Sequence, residues 1–239
     1  MTRRRWIADE VSGNRAALVG EHAHHLVRVL RASVGQEFDI ATGHAVRRGR
    51  IVRVADDRVD FELGGEVSLT NATEITLLLA VFKFDRMEWA IEKCTELGVV
   101  RIVPVIARRT DAHLAAASAK RAERWQRIAR QAAEQSRRTA PPEIAPPIKI
   151  AEALDLPATL RIVLAESEDQ ILLRDVVKPN TGEHGILLAV GPEGGWTEGE
   201  LQSFRQAGWT SASLGNTILR AETAAIAATA VVASALCSI

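Results

Sequence analysis

The chain is short of cysteine, of net charge and of long apolar runs, and each shortage narrows what it can be. Of its 239 residues only two are cysteine, Cys94 and Cys237, both in helical patterns. They offer neither a disulfide framework nor metal-ligand spacing, which suits a reducing cytoplasm. No apolar run approaches the roughly 20 residues of a membrane span. The start, Met1-Thr2-Arg3-Arg4-Arg5-Trp6, is charged but lacks the apolar stretch of a signal peptide. Thirty basic and thirty acidic residues cancel, so overall charge does not announce a nucleic-acid binder. Internal repeats and low-complexity segments are missing as well.

What is present is an ordinary soluble composition, 47% apolar and 25% charged, with room for two modest domains. Its charge is unevenly spread. Residues 101–140 hold ten basic side chains against three acids, whereas residues 141–239 hold twelve acids against six basics. A basic middle and an acidic end serve different faces or partners, although any single arginine is most simply solvated helix surface.

The first seventy residues alternate over short stretches, with glycines between them. Strands are predicted at Ala16 to Val19, Glu37 to Ala41, Val46 to Val54 and Val59 to Leu63, with a helix over Glu21 to Arg31, which fits a small β-barrel. The polar segment Leu69 to Thr73 marks a domain boundary. From Ile75 the period changes. Ile75 to Phe82 is a continuous apolar run, typical of a strand buried on both faces. Asp85 and Glu88 form a D-x-x-E cap for a helix carrying Met87, Ile91, Cys94 and Leu97 at helical spacing. Gly98 ends it, and Val99 to Ile106 is the next strand, completing a β-α-β unit. A long helix over Ala119 to Arg137, strands at Leu160 to Ala165 and Ile186 to Val190, and an Ala-rich helix over Ala221 to Leu236 complete an α/β pattern with a parallel sheet. Trp89 and Trp125 are assigned to the core, and Glu134 and Gln135 to a polar helix face. His24 and His25, adjacent on a helix, point apart and gain no third ligand, so they are not a metal pair.

Residues 186–227 carry the most information. The strand Ile186 to Val190 runs into Gly191-Pro192-Glu193-Gly194-Gly195, and Thr197 with Glu200 forms a T-x-x-E capping box for the helix that follows. Gly208 stops that helix at Ala207. A second loop, Leu214-Gly215-Asn216, leads through Leu219-Arg220-Ala221-Glu222-Thr223 into the last helix. Two loops at strand ends, each handing over to a helix, are the geometry of a small-molecule site at the edge of an α/β sheet. No Walker lysine follows the glycines, so a phosphate-binding loop is the weaker reading.

Read together, Val190 to Gly195 and Leu214 to Ala225 resemble the cofactor region of SPOUT-class RNA methyltransferases. The pattern is similar to V-G-P-E-G-G followed by L-G-x-x-I-L-R-x-E-T-A-A in the ribosomal RNA small subunit methyltransferase E family, the 16S rRNA uracil-N3 methyltransferases. The resemblance extends along the chain. It takes in Lys83 with Asp85 to Trp89, Lys93 and Thr95 to Val99, then Arg124-Trp125 through Glu134-Gln135, and His24-His25-Leu26 with Val29-Leu30-Arg31. Phe84 stands where the family often has Gly, and Asn216-Thr217 departs from a Pro-Arg pair.

The resemblance implies a PUA-like RNA-binding β-barrel over residues 1–70 and a SPOUT domain over 73–239. It also implies a C-terminal trefoil knot, which general topology rules alone make improbable. S-adenosylmethionine is the implied cofactor, held by Leu188, Val190, Gly191, Pro192, Glu193, Gly194, Gly195, Leu214, Gly215, Ile218, Leu219 and Thr223. Arg220 is expected to stabilise charge on the uracil or orient the RNA, while Glu222 or Glu193 shapes the site or accepts the proton. The RNA grip falls to His25, Arg28, Arg31, Arg47, Arg48 and Arg50, with Lys83, Arg86, Arg109, Arg124 and Arg138. The implied partners are 16S rRNA in the assembled small ribosomal subunit and a second copy of the chain, without metal or membrane. Two alternatives stay open: ribose 2′-O methylation, and a non-catalytic RNA-binding or assembly factor.

Overall fold

Alternation in the first third of the chain resolves into a six-stranded sheet. The computed structural model describes residues 5–43, 45–67, 74–136, 138–177 and 185–236. The segment Leu69 to Thr73, together with Arg137 and Cys237, lies outside them. The strands are β1 (Arg5–Ile7), β2 (Glu10–Ser12), β3 (Arg15–Val19), β4 (Glu37–Ala41), β5 (Val46–Val54) and β6 (Arg58–Val67). They stand in the order β1-β4-β5-β6-β3-β2 and curl into a half-barrel. Leu18, Ile40, Ile51, Val59, Phe61 and Leu63 fill its inner face. Helix α1 (Glu21–His24) continues as a π-helical turn over His25–Val29, where Leu30 N–H reaches the carbonyl of His25 at 3.2 Å. The continuous helix expected to Arg31 therefore loosens. It stops because Arg31 itself adopts a left-handed φ of 51°.

The continuous apolar runs form a second sheet, parallel throughout. Its strands are β7 (Ile75–Ala80), β8 (Arg101–Ile106), β9 (Glu143–Ile144), β10 (Ile148–Lys149), β11 (Leu160–Leu164), β12 (Ile186–Val190) and β13 (Thr210–Ala212). The order is β10-β8-β7-β12-β11-β13, with β9 also paired to β8. The proline-bracketed piece after Pro141 thus supplies two short edge pairings. Leu77, Leu79, Leu188 and Val190 point to one face, under α2 (Phe84–Glu96) and α8 (Ala221–Leu236). Leu78, Ala80, Leu187 and Ala189 point to the other, where Trp196, Phe204 and Trp209 stack edge to face at 5.1 and 5.0 Å. Burial on both faces explains why these strands read as unbroken apolar runs.

Several local expectations need correction. The first turn of α2 is not closed by a D-x-x-E cap. Its N-cap is Lys83, and Glu88 instead accepts two hydrogen bonds from Arg124, at 2.6 and 2.8 Å. Trp89 is not core but 49% exposed, because Met87, Ala90, Ile91 and Cys94 occupy the inward stripe of the helix. Trp125 is fully buried, and Phe84 packs edge to face on it at 5.9 Å. The helix expected over Ala119 to Arg137 is α4 (Ala122–Gln135), preceded by a 3-10 turn. A separate helix, α3 (Ala112–Ser118), precedes both and is capped by the Asp111 side chain. Short helices α5 (Ile150–Leu154) and α6 (Leu173–Val176) and the longer α7 (Glu198–Gln206) complete the set.

The chain divides into two compact units, Met1–Asn71 with Ala133–Pro141, and Ala72–Ala132 with Pro142–Ile239. Among the described residues no helix is long and apolar enough to cross a membrane.

Candidate functional site

Strands β12, β11 and β13 are neighbours, so the loops leaving their carboxyl ends converge. Between those loops lies a cavity of about 350 Å³. One wall is Val190 with Gly191 to Trp196. A second is Leu214 to Leu219, and the third is the loop after β11, Ala165 to Asp169. Position follows from topology: in a parallel sheet, ligands collect beyond the strand carboxyl ends.

The glycine-rich loop is closely fixed. Gly195 N–H bonds the carbonyl of Pro192 at 2.8 Å, closing a turn in which Gly195 takes a φ of 66°. A side chain there would be strained, which accounts for glycine. Trp196 Nε1–H bonds the carbonyl of Leu164 at 3.1 Å and ties the loop to the adjacent strand. The T-x-x-E box is formed as expected. Glu200 accepts from Thr197 N–H at 2.7 Å, and Thr197 Oγ1 accepts from Glu200 N–H at 3.3 Å. Glu200 also accepts from Arg108 N–H at 2.6 Å.

Four carboxylates face the cavity, Glu166, Glu168, Asp169 and Glu193, against one guanidinium, Arg109. Glu168 Oε1 is used locally, accepting from Gln170 and Ile171 N–H at 2.9 and 3.0 Å. The lining thus combines apolar surface, exposed backbone and excess negative charge. It suits a cationic, partly apolar ligand held largely by main-chain groups.

Of the residues singled out from sequence, Val190, Gly191, Pro192, Glu193, Gly194, Gly195, Leu214, Gly215, Ile218 and Leu219 line this cavity. Leu188 does not, since it is fully buried on the sheet face under α2 and α8, and Thr223 sits exposed on α8. Arg220 is exposed just ahead of α8, outside the lining. Glu222 is 3% exposed, with Arg86 Nε 3.8 Å from its Oε1. The loop Glu166 to Asp169 was missed, and the signal for it existed: it follows the predicted strand Leu160 to Ala165.

The basic residues divide by environment. Lys83, His25, Arg28, Arg31, Arg48 and Arg50 are exposed. Arg48 stands opposite Asp39 in the sheet, and Arg50 opposite Glu37 and Glu62, which tempers the basicity of β5. Arg47 is committed to structure, donating to Gly64 O, Leu63 O and Asn14 Oδ1 at 2.9, 3.2 and 2.7 Å. Arg138 is largely desolvated, which pushes its pKa down to about 10. Cys94 is buried and its thiol is pushed up to about 12, so it supplies no thiolate at neutral pH. Among the described residues no group of three His, Cys, Asp or Glu could hold a metal ion.

Comparison with known proteins finds related chains and a related fold. Residues 70–233 match the RNA methyltransferase domain family. A ribosomal RNA small subunit methyltransferase E from Synechocystis is 35% identical over 84% of this chain and 67% of its own. One from Aquifex aeolicus is 32% identical over 92% of this chain and 94% of its own. The crystal structure of a ribosomal RNA small subunit methyltransferase E from Neisseria gonorrhoeae, bound to S-adenosyl methionine, matches with a TM-score of 0.84. It is 32% identical, over 98% of both chains.

Proposed function

We propose, from the premise that this chain belongs to the ribosomal RNA small subunit methyltransferase E family, that it methylates N3 of one uridine in 16S rRNA. The methyl donor is S-adenosylmethionine. The observation that carries this reading is the cavity beyond β12, β11 and β13, walled by both glycine-containing loops. Its volume of about 350 Å³ falls in the range of small-molecule sites, and its carboxylates complement a sulfonium cation. The residues present fit that cofactor.

When bound, the cofactor supplies an electrophilic methyl group on sulfur. Everything else falls to the protein, chiefly positioning, since an in-line displacement needs donor and acceptor aligned. Val190, Leu214 and Leu219 would give apolar contact, and the backbone groups of Gly191 to Gly195 not bonded within the loop, with those of Gly215, would give hydrogen bonds. Uracil N3 carries a proton at neutral pH and becomes a nucleophile only when that proton leaves. Arg220, exposed beside the second loop, stabilises negative charge developing on the uracil oxygens. Glu193, which lines the cavity, accepts the proton. Glu222, buried against Arg86, shapes the site instead. The RNA is gripped by His25, Arg28, Arg31, Arg48 and Arg50 of a PUA-like first domain and by Lys83 of the second, with Arg86 and Arg124 beside it already paired to Glu222 and Glu88.

The reading extends to a trefoil knot, a homodimer and a cytoplasmic location. Supporting the knot, the chain leaves edge strand β13, lines the cavity over residues 214–219, and only then forms α8 against the central strands β7 and β12. Supporting the dimer, α8 is apolar nearly all round, with Ile226, Val231 and Leu236 only half covered.

The test combines the protein, S-adenosylmethionine and unmodified small ribosomal subunits, followed by reverse transcription. Methylation at N3 blocks the Watson–Crick edge, so a cofactor-dependent hard stop at one uridine is expected. Methyl incorporation without a stop would move the assignment to the ribose 2′-hydroxyl.

A further inference from the structure

The loop at Gly191 to Gly195 has few side chains with which to hold its own shape, yet a cofactor bound through backbone groups needs those groups fixed. Glycine keeps the most conformational freedom of any residue, so an unbraced loop loses affinity on ordering. The loop after β8 reaches across to it. Arg109 Nη1 donates to the carbonyl of Gly194 and, at 3.4 Å, to the carbonyl of Trp196. Its aliphatic stem lies against Gly194, where an added Cβ would stand 3.2 Å from Arg109 Cδ. One residue earlier, Arg108 N–H reaches Glu200 of the capping box at 2.6 Å. The turn that presents Arg109 is itself pinned. Thr110 Oγ1 accepts from Ala107 N–H at 3.1 Å and donates to Val81 O at 3.1 Å.

We infer that Arg109 is a positioning residue of the cofactor site, a guanidinium brace across the carbonyls of Gly194 and Trp196, rather than part of the RNA grip. The inference rests on the cofactor reading above. Both bonds leave the one Nη1, whose N–H groups are held in the fixed guanidinium plane, whereas a lysine ammonium would have to place them from a flexible stem. The brace acts by preorganisation: it sets cofactor affinity and leaves the methyl-transfer step to other groups.

The experiment measures S-adenosylmethionine binding by calorimetry, and KM for the cofactor and kcat on small subunits, for the full chain and its variants. Arg109→Ala is expected to raise the cofactor Kd and KM by about tenfold or more, with kcat at saturating cofactor within about threefold. RNA affinity and its salt dependence should match the parent chain. Arg109→Lys should recover only part of the loss. Gly194→Ala, which crowds the Arg109 stem, should weaken cofactor binding alone, but add little in the Arg109→Ala background. Loss of kcat with unchanged cofactor affinity would overturn the inference. So would weakened RNA binding with a shallower salt slope, because that is the signature of a phosphate contact. If the parent chain itself fails to bind the cofactor, the cofactor reading has failed, and that result is distinct from either.

Discussion

Gly49 in the curled sheet and Gly194 in the loop after β12 both lack a positive φ, yet they are small for different reasons. A Cβ on Gly49 would stand 2.3 Å from Ile40 Cγ1 and 3.3 Å from Phe61 Cδ1, inside a closed core. A Cβ on Gly194 would meet only the stem of Arg109, at the wall of an open cavity. The contrast holds for charge as well. In the first unit several charged groups are spent on one another. Arg58 bonds Glu10 and Asp60 at 2.8 and 2.7 Å, and His22 lies 3.2 Å from both Asp9 and Glu134. At the cavity of the second unit, four carboxylates face a space lined by backbone. Gly49 and these pairs settle the shape of the first unit, whereas Gly194 and the cavity carboxylates of the second face open space.

The strongest way to sharpen this contrast is Arg220→Ala. It should cut methyl transfer by about a hundredfold or more while cofactor affinity stays within a few-fold, as expected for charge stabilisation late in the reaction. Single-turnover transfer with saturating cofactor measures it, and near-parental rates would remove Arg220 from the chemistry. Gly49→Ala should do the reverse. Overpacking against Ile40 is expected to destabilise the first unit by about 1–3 kcal/mol, with cofactor affinity of the folded protein unaltered. Chemical denaturation and calorimetry report the two quantities separately, and an unchanged midpoint would mean that Ile40 moves aside freely.

A smaller, pH-dependent effect belongs to His22. Its pKa is raised chiefly by the hydrogen bond to Glu134, with the charges of Glu134 and Asp9 adding to it. A raised folded pKa stabilises fully below the ordinary value near 6.5 and is lost as pH climbs through the folded value. His22→Gln should therefore cost more near pH 5.5 than near pH 9, by up to about 1 kcal/mol after discounting for partial exposure. Denaturation at the two pH values checks the sign, and a cost that grows with pH contradicts it. The finest distinction lies among arginines of the first unit. Arg31→Ala should lower the log–log salt slope of RNA binding by about 0.7 to 0.9, one phosphate's worth. Arg47→Ala should leave that slope unaltered, because its guanidinium already donates to Gly64, Leu63 and Asn14.

How much was legible in the sequence follows the same division. Strands β4, β5 and β12 and helix α8 fall at the bounds that alternation or an apolar run predicts, because burial on a fixed face repeats with a fixed period. The T-x-x-E box at Thr197 was readable, being a contact between residues three apart. The same pattern at Asp85 failed because Glu88 found Arg124, 36 residues away, a stronger partner than a helix end. Trp89 shows the reverse error. Its size suggested the core, but the stripe of α2 that faces the sheet was already filled.

The sequence by itself determined which segments are buried strands, where the glycine-rich loop sits and which family the chain resembles, since all three are local patterns. Only the tertiary structure decided that the loop after β11 forms the third wall of the cavity and that Arg109 sits beneath Gly194. Those are meetings of residues 85 positions apart in the latter case, fixed by strand order rather than by spacing. No periodicity encodes them, because a parallel sheet brings loops together by the order of its strands, and that order is settled only when both faces of the sheet are covered.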